Sequence, residues 1–254
     1  MSTRSKLFAL VTNATGFAGP PAVQALLEAD FRVLAHDEAF ADQRTWSAFA
    51  MGRAHLDPIA AAEPDAVIIQ SIERAGSLAA IVSNDHHPAR SHSPETAPAD
   101  ELRRNYERLV EFPFRLVQAA LPHLKRQGGA NVVMVTSNRT RLPLSGAAFP
   151  DAARAAANAM VRSLAIDCAK DGIIVNAIAP NFLYSEAYYP SALFRETEIG
   201  RAYVQRSVPV GRLAEPHEIG EVIAFLATVR TRFLTGSIID FSGGWPFGPA
   251  RPSL

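Results

Sequence analysis

The chain has 254 residues, with 25 basic and 25 acidic side chains and a formal net charge of zero. That balance excludes the basic excess a nucleic-acid surface needs, and no apolar run reaches membrane-spanning length, so neither nucleic acid nor membrane is an expected partner. One cysteine, Cys168, excludes an internal disulfide and suits a reducing cytoplasm, the expected location.

The size fits one domain, residues 1–254, with a large core. Met1 to Lys6 leads straight into a strand and offers no signal segment. Leu7-Phe8-Ala9-Leu10-Val11 is a short continuous apolar run, as a strand buried on both faces requires. From Pro20 to Ala29, Val23, Leu26 and Leu27 keep helical spacing. Phe31 to Ala35 is a second strand, followed by His36-Asp37. Ala66 to Ile69 has strand-like composition, but Pro64-Asp65 opens it and Ile72 continues its face, so it reads as helix. Leu78 to Val82 is the next strand. Glu101 to Leu124 is a long helix that Pro113 kinks or breaks. Asn131 to Val135 is a strand, about Pro150 to Lys170 a helix carrying a buried Cys168, Ile173 to Ile178 a strand, and Ser237 to Asp240 a last strand.

Strands alternating with helices pair in parallel through right-handed crossovers. The expected fold class is therefore α/β, a doubly wound parallel sheet. Ligands in such sheets sit at the carboxyl ends of the strands. Those ends are Thr12-Asn13, His36-Asp37, Ser83-Asn84-Asp85, Ser137 and Pro180-Asn181. His86 to Ala99 reads as a polar loop at the pocket rim, with His86-His87 lacking the neighbours a metal site needs, so no metal is expected. Phe182 to about Ile199 reads as an aromatic lid or pocket wall.

Two segments carry a resemblance. After the first strand stand Thr12-Asn13-Ala14-Thr15-Gly16-Phe17-Ala18-Gly19, and beyond the Asn131–Val135 strand stand Ser137, Pro150 and Arg154. The layout resembles the short-chain dehydrogenase/reductase family, which has Thr-Gly-x-x-x-Gly-x-Gly in the first loop. It then has a Ser, a Tyr about thirteen residues on, and a Lys or Arg four positions further. Those glycines let a backbone approach a pyrophosphate at a helix N-terminus. Here Asn13 and Phe17 replace two of them and Gly19 remains. Thr12, Phe17 and Gly19, taken with Ser137 and Arg154, are similar to the halohydrin dehalogenase branch, in which a nicotinamide site has become a halide pocket. Val33 to Asp37, Ile81 to Asp85 and Ile178 to Phe182 share the likeness.

The resemblance implies a Rossmann-like sheet and a homotetramer built on the helices Glu101–Leu124 and Pro150–Lys170. The tail Trp245-Pro246-Phe247 is placed at a subunit contact. It implies a small-molecule substrate, a vicinal haloalcohol or epoxide, with halide or another small anion as second partner. Ser137 would position the substrate oxygen and Arg154 would supply positive charge. Thr12, Phe17, Pro180, Asn181, Phe182, Leu183 and Tyr188 would form the halide-side pocket, with Asp85 supporting it from behind. No cofactor is expected; NAD(P), held at Gly19 and Asp37, is the alternative.

Pro150 departs from the family pattern, since proline has no ionisable group and cannot act as a base. It suits the first turn of a helix, where its missing N–H costs little. Tyr184, Tyr188 or Tyr189 on the following loop are the side chains weighed as substitutes. The Asn of the family's proton relay falls near Leu109, with Asn105 one turn earlier. Three functions therefore stay open: a halide-eliminating or epoxide-opening enzyme with an altered or lost base, an NAD(P)-dependent oxidoreductase, and a non-catalytic binding paralogue.

Overall fold

The structure, a computed structural model, describes residues 7–247, so Met1 to Lys6 lies outside the described residues. In chain order the elements begin with β1 (Phe8–Val11), α1 (Gly19–Glu28), β2 (Arg32–His36) and α2 (Gln43–Ala50). Then come β3 (Leu56–Ile59), α3 (Pro64–Ala75), β4 (Ala80–Ser83), α4 (Ala99–Tyr106) and α5 (Phe112–Arg126). The chain continues through β5 (Asn131–Val135), α6 (Ala148–Ala169), β6 (Ile174–Pro180) and the short α7 (Ser191–Phe194). It ends with α8 (Glu198–Ser207), α9 (Pro216–Thr228) and β7 (Ile238–Phe241).

The seven strands form one parallel sheet in the order β3-β2-β1-β4-β5-β6-β7. Strand direction sends alternate side chains to opposite faces. Ala9, Val11, Val82 and Val133 pack with Val23 and Leu26 of α1 and with Ile219 and Ile223 of α9. Leu10, Ile81, Val132 and Val175 pack with α3, α5 and α6 through Val67, Leu116 and Val161. Burying each such side chain stabilises the fold by about 1.5–3 kcal/mol. The three-layer α/β class is thus the one the alternation implies. The order reverses between β1 and β4, which opens a crevice at their carboxyl ends.

One ambiguous element follows the sequence reading and several others differ from it. Pro64 opens α3 and keeps the segment around Ile68 helical, as its flanks require. The break expected at Pro113 is a π-helical turn, Glu107–Glu111, between α4 and α5. Pro113 has no N–H to bond four residues back, and the wider turn accommodates that loss. β3, for which the sequence reading gave no element, contains Pro58 and forms the sheet edge, where a missing donor is tolerated. α2 has no buried residue to give it a pattern and is held by Asp42, which accepts from the Arg44 and Thr45 amides. α9 is announced by Glu215-Pro216, with Glu218 closing a capping box, a signal the sequence reading passed over.

Candidate active site

The β1–α1 loop folds as a tight turn despite its lost glycines. Asn13 and Phe17 take left-handed backbone angles, φ 46° and 45°. That conformation is rare for a bulky residue and costs of order 1–3 kcal/mol. Neighbours hold it. The Asn84 side-chain amide donates to the carbonyls of Asn13 and Gly16 at 3.0 and 2.9 Å. Gly19 opens α1 with no room for a Cβ, which would sit 2.6 Å from the Asn13 and Ala14 carbonyls. The Phe17 ring meets Tyr188 edge-on at 5.0 Å and forms one wall of a cavity of about 470 Å³.

Ser137 and Arg154 open onto the same cavity, with Pro180, Asn181, Leu183 and Tyr188. Ser137 follows β5. Its hydroxyl donates to the Pro180 carbonyl at 3.2 Å and accepts from the Arg139 amide. Arg154 projects from α6 and is buried, so its guanidinium needs acceptors. They are the Asp85 and Val135 carbonyls, at 3.3 and 3.2 Å. The guanidinium is fixed at the strand ends with no bonded carboxylate among the described residues, and Arg154 lines the cavity.

Asp85 and Thr12 do not line the cavity; they lie beneath it. Asp85 accepts from the Thr12 hydroxyl, the Asn13 amide and the Ser83 hydroxyl. Burial pushes its carboxyl up to about 6, against those bonds and the Arg154 charge. Phe182 also stands apart, stacked on Tyr189 and packed against Trp245. The tail residue Trp245 is thus buried within its own chain, while Phe247 stays exposed.

Pro150 lines the cavity from the first turn of α6. None of the loop tyrosines is poised to replace a tyrosine base there. Tyr188 donates its hydroxyl to the His87 carbonyl at 2.8 Å, and Tyr189 donates to the Asn181 side chain at 2.6 Å. Burial pushes the Tyr189 phenol further up from its ordinary value. Tyr184 lies outside the cavity and donates to Glu186, a bond that also raises its phenol.

One pair escaped the sequence reading. His87 lines the cavity, and its ring Nε2 lies 2.9 Å from Glu101 Oε1 of α4. Fourteen residues separate the two, and a loop that runs to the cavity brings them together. Asn105, one turn on in α4, bonds back to Glu101, and Leu109 of the π turn reaches the cavity. Among the described residues no cluster of three His, Cys, Asp or Glu could hold a metal ion, and no helix is long and apolar enough to cross a membrane.

The family model described as enoyl-(acyl carrier protein) reductase matches residues 19–246. L-fucose dehydrogenase of Rattus norvegicus is 27% identical over 247 residues, covering 95% of this chain and 90% of its own. A solved halohydrin dehalogenase bound to ethyl (2S)-oxiran-2-ylacetate is 30% identical, with TM-score 0.91, covering 97% of this chain and 100% of that one. A 3-ketoacyl-(acyl-carrier-protein) reductase from Brucella melitensis, complexed with NADH, shares the fold at TM-score 0.81 and 22% identity, covering 94% of this chain and 97% of that one.

These relatives overturn the expectation of no cofactor, because the curated relative is a dehydrogenase and a protein of the same fold holds NADH. The residues present fit the adenosine end of a dinucleotide. Asp37 stands at the end of β2 with its carboxylate turned to the β1–α1 loop, accepting from the Thr15 amide and hydroxyl. Gly19 keeps the amino end of α1 close to that loop. With the family model spanning residues 19–246, the chain belongs to the short-chain dehydrogenase/reductase family.

Proposed function

We propose that the cavity carries out redox-neutral chemistry at a vicinal haloalcohol or epoxide, in the manner of a halohydrin dehalogenase. The observation that carries this reading is the convergence of Ser137, Arg154 and the Phe17 ring on one cavity. The Ser137 hydroxyl turns from the Pro180 carbonyl to the substrate oxygen. As the oxygen loses its proton, the Arg154 charge stabilises the alkoxide. The alkoxide displaces halide from the neighbouring carbon, and Phe17, Pro180, Asn181 and Leu183 surround the departing anion. The lining is mostly apolar and includes Leu144, Leu193 and Ile199. A cavity of about 470 Å³ falls in the range that encloses drug-sized ligands. The preferred substrate therefore carries an apolar substituent such as an aryl ring.

Halide release from a panel of aryl and short-chain halohydrins tests this. Turnover should fall about 10²-fold or more in Ser137→Ala. Absence of halide release from every member of the panel overturns the reading. Asp37 favours a second reading, a dinucleotide-dependent alcohol oxidoreductase, since a carboxylate at the end of β2 suits a ribose hydroxyl. Calorimetric titration with NADH and NADPH decides it: binding that weakens at least tenfold in Asp37→Ala supports it, and no heat at millimolar cofactor ends it.

A further inference from the structure

We propose that His87, oriented by Glu101, is the base that takes the substrate hydroxyl proton in this cavity, the role for which Pro150 has no group. The inference rests on the halohydrin reading above. It starts from an elimination. Four tyrosines line or adjoin the cavity, and three spend the hydroxyl proton on a neighbour: Tyr188 on the His87 carbonyl, Tyr189 on Asn181, Tyr184 on Glu186. The fourth, Tyr203 of α8, packs its ring against Phe182 and Phe194 and has no basic partner bonded to its hydroxyl among the described residues. Ser137 is a neutral alcohol and Arg154 holds its proton throughout, so neither accepts one. His86 presses on Gly16, where an added Cβ would meet its Nε2, and it does not line the cavity. His87 does line it, with its side chain 16% exposed.

Its partner makes His87 more than a rim residue. Glu101 is a nearly buried carboxylate, 6% exposed, and the His87 bond is the largest influence holding its carboxyl below the usual range. Arg104 at 3.7 Å and the Asn105 amide at 3.4 Å fix the same group. An ionised carboxylate only accepts, so Nε2 carries the hydrogen toward Glu101, and in the neutral ring Nδ1 is the nitrogen with the lone pair. Nδ1 has no hydrogen-bond partner among the described residues. The backbone is held as well, because Tyr188 grips the His87 carbonyl from the lid side. A carboxylate that orients a neutral imidazole toward a substrate proton is the arrangement general base catalysis needs.

The step balances. Nδ1 takes the hydroxyl proton, the oxygen pair forms the new C–O bond, and the C–halogen bond breaks with its pair leaving on the halide. The imidazolium pairs with Glu101 and returns its proton to solvent. In the opening direction the same imidazolium donates to the epoxide oxygen. The charges around the dyad are Glu101 and Arg104 from α4, His86 and Arg90 from the loop, Arg139 before α6, and Arg154 from α6 itself.

The test measures halide release by the full chain from styrene bromohydrin and a three-carbon chlorohydrin. In His87→Gln, kcat should fall about 10²–10⁴-fold while KM stays within about threefold. In His87→Ala, free imidazole should restore part of the loss. Glu101→Gln removes the carboxylate that orients the ring, so its kcat should fall at least tenfold while KM stays within about threefold. That variant is isosteric and carries the test if His87→Gln does not fold by circular dichroism. A His87→Gln enzyme within threefold of wild-type kcat, or a Glu101→Gln enzyme with unchanged kcat, overturns the proposal and leaves the halohydrin reading standing. A wild type that releases no halide from either substrate overturns both.

Discussion

Asp85 shows how the site taxes the fold at the scale of a single residue. Its carboxyl rises from the usual 3.8 to about 6 because burial outweighs the hydrogen bonds from Ser83, Thr12 and Asn13 and the Arg154 charge. A folded-state value above the unfolded one means the folded protein binds the proton more tightly. That contribution to stability is complete below about pH 4 and is lost as pH rises through about 6. Asp85→Asn keeps the shape and lacks the titration. Urea unfolding should therefore show the wild type losing about 2–3 kcal/mol relative to Asp85→Asn between pH 4 and pH 7. Parallel curves for the two proteins would mean that water reaches the carboxylate. Phe17 allows a second expectation at this scale. Glycine at this position relieves the left-handed strain and removes a cavity wall, so Phe17→Gly should bind NADH at least tenfold more tightly than wild type, as read by calorimetry. Register alone made Ser137 and Arg154 legible in the sequence, because a strand end and a helix face repeat in any chain of this fold. His87 and Glu101 were not legible as a pair, because a loop with no periodicity decides where they meet.

Between elements, legibility follows how much of the pattern each one buries. β1, β4, β5 and β6 are continuous apolar runs and announce themselves. β3 and α2 lie at or beyond the sheet edge, where polar residues and Pro58 are tolerated, so their composition says little. α9 was marked by its capping box and also by Gly220, whose meaning depends on a partner far away in sequence. Gly220 faces α1, and a Cβ there would stand 2.7 Å from the Pro21 carbonyl. Backbone cannot yield as a flexible side chain does, so the two helices would have to separate. Gly220→Ala should destabilise by about 1–3 kcal/mol despite the higher helix propensity of alanine. Thermal denaturation measures it, and an unchanged or raised Tm would show that α1 and α9 shift apart at little cost.

Among the described residues, α6 presents an uncovered stripe of small and apolar side chains. α6 turns Ala152, Ala155, Ala159, Ser163 and Ile166 outward on one face, and Ile166 is 78% exposed. Positions three and four apart share a helix face, and small side chains there let a second backbone approach closely. The neighbouring α4 and α5 add Tyr106 and Phe114, 40% and 41% exposed. The opposite face of α6 is spent on the core and the site, through Val161, Leu164 and Arg154. A self-complementary helix face of this kind favours a twofold contact between copies, and a second such contact elsewhere gives four subunits. Light scattering should therefore find the chain as a homotetramer. Ile166→Glu places a charge at the centre of the stripe without touching the core, and should reduce the particle to dimers or monomers that still melt cooperatively. α6 also carries Arg154 and Pro150 on its inner side, so weakened packing outside should loosen the cavity. Halide release by Ile166→Glu should fall through kcat in step with the loss of tetramer. Full activity in a dissociated variant would show that the cavity is complete within one chain.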